Sequence, residues 1–343
     1  DCLLASSGRA TAASQNMSPE NDDSLQKRIE EWQKTYDRPA VVVADLLCDR
    51  HTGDSPGLIY EDAIGREETY TYARLLELSS RFAAVLKTLG VSRGDRVATL
   101  LPKSPALVVA TLGLWRLGAA HVPLFTAFGP QAIGSRVNNS AAAVIVTDTA
   151  NRGKLDETDL GDPKPKIISV AGDDSPPAAG DIDFQSALDS ATAHESPVSV
   201  TGNDLLILIY TSGTTGSPKG VEVPVKALAS FESYLRCGLD VRDDDVYWNM
   251  ADPGWAYGLF YALAGPLLLG KPVIFLNAPF DVERTYRFLE RHQVTNATTA
   301  PTVFRMMRAA GSFPGDKPVL QLRLASCAGE PLNPDVVSWG KVH

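Results

Sequence analysis

The chain has 343 residues, 44% of them hydrophobic and 21% charged, with a formal net charge of -9. This length suits about two domain-sized units with a substantial core, and the composition excludes disordered and collagen-like classes. The negative net field opposes a general nucleic-acid role, so an anionic ligand would need local cations and backbone N–H donors. Cys2, Cys48, Cys237 and Cys327 lie far apart without a CxxC spacing, and His51, His121, His194, His292 and His343 do not cluster. Neither a disulfide framework nor a zinc site is indicated.

The first sixteen residues are rich in Ala and Ser. Residues 1–23 are expected to be a disordered leader, with Met17 a candidate internal start. Ser24 to Tyr36 has helical spacing at Leu25, Ile29 and Trp32. A loop is expected up to about Gly57, followed by a short hairpin built from Leu58–Tyr60 and Glu68–Tyr72. Thr71 to Leu89 is the clearest helix: Leu75, Leu78, Phe82, Leu86 and Leu89 form one apolar stripe. Gly90 suits its left-handed cap.

An apolar strand, Val97–Leu101, leads to a helix over Pro105–Leu117 and then a strand over His121–Leu124. Ala143–Thr147 reads as a further strand. The polar stretch at 172–199 reads as a loop-rich link between approximate subdomains 24–171 and 200–343. Leu205–Tyr210 is an uninterrupted apolar run, as in a strand buried on both faces. Gly254–Gly270 is uncharged but too short and glycine-rich to cross a membrane, so it reads as buried core. Lys271–Leu276, Ala297–Ala300 and Leu322–Ser326 read as strands. Helices are expected over Asp281–His292, with Tyr286, Phe288 and Leu289 inward, and over Thr302–Ala310. The alternation predicts an α/β fold with mostly parallel sheets flanked by helices. Asn333–Val342 looks like the opening of a helix, and the abrupt end suggests a fragment.

The most informative segment directly follows the apolar strand: Tyr210-Thr211-Ser212-Gly213-Thr214-Thr215-Gly216-Ser217-Pro218-Lys219-Gly220. Its three glycines permit close backbone approach to a ligand, its successive N–H groups can form an anion-holding nest, and five Ser and Thr hydroxyls and Lys219 add further contacts. This chemistry suits phosphate. It is not a Walker loop, because Lys219 lies between Pro218 and Gly220 and a strand-like segment, Val221–Val225, follows.

This loop closely resembles the signature loop of the adenylate-forming enzymes, which include acyl-CoA synthetases, luciferases and peptide-synthetase adenylation domains. Gly94-Asp95-Arg96-Val97-Ala98, Leu101-Pro102-Lys103-Ser104-Pro105 and Gly118-Ala119-Ala120-His121-Val122-Pro123-Leu124 are similar to the family's early strands and helix entry. Ala251-Asp252-Pro253-Gly254-Trp255 resembles a segment of short- and medium-chain acyl-CoA synthetases. Ala300-Pro301-Thr302 and Cys327-Ala328-Gly329-Glu330-Pro331 resemble the later strand, helix and adenine loop.

The resemblance implies the large amino-terminal domain of that family over 24–343, incomplete at its C-terminus, built from two mostly parallel sheet subdomains. It implies activation of a short- or medium-chain carboxylic acid as acyl-AMP and transfer to coenzyme A. By the same resemblance Thr211, Ser212, Gly213, Thr214, Thr215, Gly216 and Lys219 hold the ATP phosphates, with Thr215 and Lys219 catalytic. Gly329, Glu330 and Pro331 contact adenine, and Trp255, Ala256, Tyr257 and Ala328 line the acyl pocket. ATP, Mg2+ and coenzyme A are the implied cofactors and co-substrates.

The family's magnesium-holding Glu, ribose-holding Asp and C-terminal Lys cannot be placed before His343, so a fragment of deficient activity is expected. Other classes consistent with the chain are an adenylation domain loading a carrier protein and a non-catalytic nucleotide-binding protein. Asp252 stands in an Asp-Pro-Gly-Trp context rather than the aromatic-Asp-x-Ser context of amino-acid selectors, which favours a plain carboxylic acid. Neither a membrane span nor nucleic acid is expected as a partner. The expected compartment is cytoplasmic, with a mitochondrial alternative.

Overall fold

A computed structural model describes residues 2–5, 19–51, 53–172, 175–192, 194–211, 218–311 and 319–341, with side chains from residue 24 onward. The described strands are β1 (Cys2–Ala5), β2 (Pro56–Glu61), β3 (Glu67–Thr71), β4 (Arg96–Leu100), β5 (Ala120–Pro123), β6 (Val144–Asp148) and β7 (Lys166–Val170). They continue with β8 (Ile182–Asp183), β9 (Leu205–Thr211), β10 (Lys219–Pro224), β11 (Tyr247–Asn249), β12 (Val273–Leu276), β13 (Asn296–Thr299) and β14 (Leu324–Cys327).

Three sheets organise them. The largest has the order β10-β9-β5-β4-β6-β7-β8, parallel throughout except for β10, which runs antiparallel to β9. A second sheet is β1-β14-β13-β11, parallel except for β1. The third, β12-β2-β3, joins β12 in parallel to β2 of the β2–β3 hairpin. Sheet membership therefore crosses the link suggested at 172–199: β9 and β10 belong with β4–β8, and β12 belongs with β2.

Local chemistry explains the helices around the large sheet. The helix Tyr72–Thr88 starts where the Thr71 side chain accepts from the Arg74 N–H. Its Leu75, Leu78, Phe82 and Leu86 are buried, and Gly90 adopts a positive φ of 89° beyond its end. Ser104 caps the helix Pro105–Arg116 by accepting from Leu107 N–H, with Pro105 filling a first-turn position where no N–H is needed. That helix is buried nearly all round, because it lies between the sheet and Tyr72–Thr88. Its Trp115 indole N–H donates to the Leu206 carbonyl, 3.1 Å away, which pins it to β9. Arg116 at its end is buried but meets both carboxylate oxygens of Asp49, at 2.6 and 2.9 Å, so the charge is compensated.

Several segments differ from the sequence reading. Val43–Leu47, within the expected loop, is a short buried helix, anchored by the pairing of Val41 with Val200. The link region holds β8 and a helix, Phe184–Ser190, capped by Asp183. Within the expected leader, β1 pairs with the open edge of β14 and a helix begins at Pro19. An extended segment can satisfy the unpaired backbone groups of a sheet edge whatever its composition. In the helix Val282–Arg291, Thr285 is buried with Phe288 and Leu289, while Tyr286 packs only partly buried on a neighbouring cluster. Gly254–Gly270 is core as expected: Leu259, Ala262, Leu263, Ala264 and Leu267 are buried. No helix among the described residues is long and apolar enough to cross a membrane.

Candidate active site

A cavity of about 510 Å³ opens between the sheets. Its walls come from the C-terminal ends of parallel strands. Met250 and Ala251 follow β11, Leu276 ends β12, Thr299 ends β13, Ala328 and Gly329 follow β14, and Lys103 lies just beyond β4. Open α/β sheets bind ligands at this end, where loops leave the strands and side chains from different layers converge.

The turn Asp252–Trp255 forms one rim. The Asp252 carboxylate accepts from Gly254 N–H at 2.7 Å, and the Asp252 carbonyl from Trp255 N–H at 3.1 Å. Gly258 lets the following helix lie against this turn: a Cβ there would sit 2.0 Å from the Asp252 carbonyl oxygen. Trp255 is 47% exposed and rests on Phe125 and Phe128, with ring centroids 5.2 and 5.4 Å away. Tyr257 lines the cavity, its hydroxyl 3.5 Å from that of Tyr234. Burial, together with Tyr234, pushes the Tyr257 phenol well above the ordinary range, so it stays protonated. Ala256 does not line the cavity and packs against the main core instead.

Across the cavity, β14 delivers Ala328, whose N–H donates to the Thr299 carbonyl, and Gly329, which has a φ of 106°. That backbone region is open to glycine with little strain. The Glu330 carboxylate accepts from the Thr302 hydroxyl and pairs with Arg305 at 3.0 Å, while Arg305 also donates to the Pro331 carbonyl at 2.7 Å. The Thr302 hydrogen bond, then Arg305, hold the Glu330 carboxyl below its usual range. The helix Pro301–Ala309 thus fixes the Gly329–Pro331 loop from outside, and only Gly329 of the three reaches the cavity wall.

The glycine- and hydroxyl-rich loop springs from the large sheet. Ser212, Gly213, Thr214, Thr215 and Gly216 lie outside the described residues. Its two roots are described: Thr211 ends β9, Lys219 begins β10, and the two are cross-strand partners, both exposed. The loop therefore springs from two paired strands, which fix its base. A chain of contacts runs from that base to the cavity rim. Arg136 lies over the Tyr210 ring at 5.8 Å and over Phe128 at 4.2 Å, and Phe128 abuts Trp255. The Tyr210 hydroxyl also donates to Asn139 at 2.7 Å. Burial lowers the Arg136 pKa, yet a guanidinium remains charged in proteins.

Lys103 stands in the Leu101–Pro105 segment without a site role assigned from the sequence, and Arg136 and Arg305 have none either. Lys103 was visible as a lone cation between an apolar strand and an apolar helix. Nothing local marked Arg136 or Arg305, whose partners are distant in the chain. The Lys103 ammonium donates to the Met250 carbonyl at 2.7 Å; burial lowers its pKa, opposed by Asp252.

Among the described residues no donor set matches the magnesium that the family resemblance implies. Among the described residues the cluster spaced for a metal is Glu61, Glu67 and His292. Arg291 already bridges the two carboxylates, 2.9 Å from Glu61, and occupies the cation's place.

The sequence profile of the AMP-binding enzyme family matches residues 34–342. The chain belongs to the AMP-binding enzyme family. It is 35% identical to an acetyl-coenzyme A synthetase of Bacillus subtilis strain 168 over 285 residues, 82% of this chain and 49% of that protein. An acetyl-coenzyme A synthetase of Desulfatibacillum aliphaticivorans is 35% identical over 332 residues, 87% of this chain and 49% of that protein. The crystal structure of an acyl-CoA synthetase from Brucella canis superposes with a TM-score of 0.86 at 40% identity, covering 94% of this chain and 59% of that one. The chain spans about half the length of the curated relatives it matches.

Proposed function

We propose that this chain carries the nucleotide- and acid-binding cleft of an ATP-dependent acid–thiol ligase acting on a short- or medium-chain carboxylic acid. A carboxylate attacks the α-phosphorus of ATP, expelling pyrophosphate and leaving acyl-AMP. The thiol of coenzyme A then attacks the acyl carbon and expels AMP. The acid needs no general base, because it is ionised near neutral pH. The first step gathers charge on phosphate oxygens, which hydroxyls, backbone N–H groups and a cation stabilise.

In this reading residues 24–343 act as one large-domain unit. Thr211, Ser212, Gly213, Thr214, Thr215, Gly216 and Lys219 hold the phosphates. Gly329, Glu330 and Pro331 receive the adenine. Trp255, Tyr257 and Ala328 meet the acid, with Ala256 behind them. The supporting observation is the contact chain Tyr210–Arg136–Phe128–Trp255, which ties the hairpin base to the acid side of the cavity. The printed names of the relatives, acetyl-coenzyme A synthetases and an acyl-CoA synthetase, point to the same reaction class. ATP should raise the melting temperature of the chain in a dose-dependent way, and Lys219→Ala should weaken that response. An ATP response absent from the parent chain, or unaffected in Lys219→Ala, would count against the assignment.

A further inference from the structure

Lys103 is the one cation on the cavity wall among the described residues; the other charged lining side chain, Asp281, is engaged as the cap of the helix Val282–Arg291. The Lys103 ammonium has three donors, of which one is taken by the Met250 carbonyl at 2.7 Å. No carboxylate among the described residues closes an ion pair with it, although Asp252 is near enough to favour its charge. Much of the surrounding wall is apolar: Trp248, Leu276, Phe280 and Val303. A partly exposed ammonium in such a setting keeps donors available to a ligand's acceptors.

Its position assigns those acceptors to the acid rather than to the nucleotide. Met250, to which it is tied, leads into the Asp252–Trp255 turn, and Trp255 and Tyr257 line the same cavity. The loop proposed for adenine leaves β14 and reaches this cavity only through Gly329. Resting on the ligase reading above, we propose that Lys103 is a specificity-determining residue that binds a second carboxylate, so that the acid taken is a dicarboxylic one. A single-ended fatty acid leaves those donors to water alone. A dicarboxylic acid presents one end for activation and the other to Lys103.

The test uses the full chain and two acids of equal length, pentanoate and glutarate. Binding is followed by tryptophan emission, since Trp248 and Trp255 line the cavity. A charge-assisted contact predicts that glutarate binds roughly tenfold more tightly than pentanoate. Lys103→Met should abolish that preference while still binding pentanoate, and Lys103→Arg should keep part of it. Equal affinities for the two acids in the parent chain would overturn the proposal without needing any variant. So would a glutarate preference that persists in Lys103→Met. Failure of both acids to bind would also overturn it, and ATP binding measured on the same sample would show whether the ligase reading survives.

Discussion

Gly258 offers the sharpest test of how the cavity rim is built. Replacing it with Ala puts a Cβ 2.0 Å from the Asp252 carbonyl oxygen, 2.3 Å from the carbonyl carbon and 2.8 Å from the Pro253 nitrogen. All three neighbours are backbone atoms, so no side chain can rotate away. Either the helix starting at Ala256 retreats or the Asp252–Trp255 turn lifts. Overpacking typically costs about 1–3 kcal/mol, and contacts this short between backbone atoms place Gly258→Ala near about 3 kcal/mol.

The assay is denaturant unfolding together with tryptophan emission, to which the half-exposed Trp255 of the rim contributes. The matched control is Gly153→Ala, in the helix Thr149–Asp156, where a Cβ meets nothing within 4 Å. There the substitution should be neutral or gain up to about 1 kcal/mol from helix propensity. An unfolding curve and emission spectrum for Gly258→Ala that overlay the parent's would refute the packing argument.

His121 is fully buried, its Nε2 2.8 Å from the Thr99 hydroxyl, and burial lowers its pKa to about 3. The folded state keeps the ring neutral while the unfolded chain protonates below about 6.5, so stability should fall as pH drops from there towards about 3, by about 1.4 kcal/mol per pH unit. Unfolding curves at successive pH values should show a shallower slope for His121→Asn. For Asp245, burial acts to raise the pKa, but Arg323, the Arg242 N–H and the Thr295 hydroxyl together hold it at about 2. Its depressed pKa contributes about 2 kcal/mol above the unfolded value of 3.8, lost as pH falls through about 2; Asp245→Asn should lose that much at neutral pH by denaturant titration. Arg136→Met should break the link between Tyr210 and Phe128, weakening ATP binding several-fold in calorimetry with a change in stability of about 1 kcal/mol or less.

Elements carried by local chemistry were legible in the sequence. The helix Tyr72–Thr88 announces itself through its stripe and Thr71, the helix Val282–Arg291 through Asp281, and β9 through an unbroken apolar run. Boundaries shifted by a residue or two where frayed ends obey tertiary contacts, as at β12, which starts at Val273 rather than Lys271. Lys271 lies outside the strand, its backbone N–H donating to the Pro266 carbonyl at 2.9 Å.

What was not legible depends on residues far apart in the chain. The pairing of β12 with β2 leaves no trace in either segment's periodicity. Val43–Leu47 is too short to show a stripe, and its burial depends on a bridge to Val200. At the site, Trp255, Tyr257, Ala328 and Gly329 do share one cavity, because all follow strand ends on the same side of the sheets. Ala256 turns from it because successive helical residues face about 100° apart.

The central claim is that the hairpin tip and the loop after β14 hold one nucleotide between them. Hydrogen–deuterium exchange with and without ATP measures this directly. Slowed amide exchange at both Thr211–Lys219 and Cys327–Pro331, rising together with ATP concentration, is the predicted result. Protection of neither segment, or of one alone at saturating ATP, would contradict it.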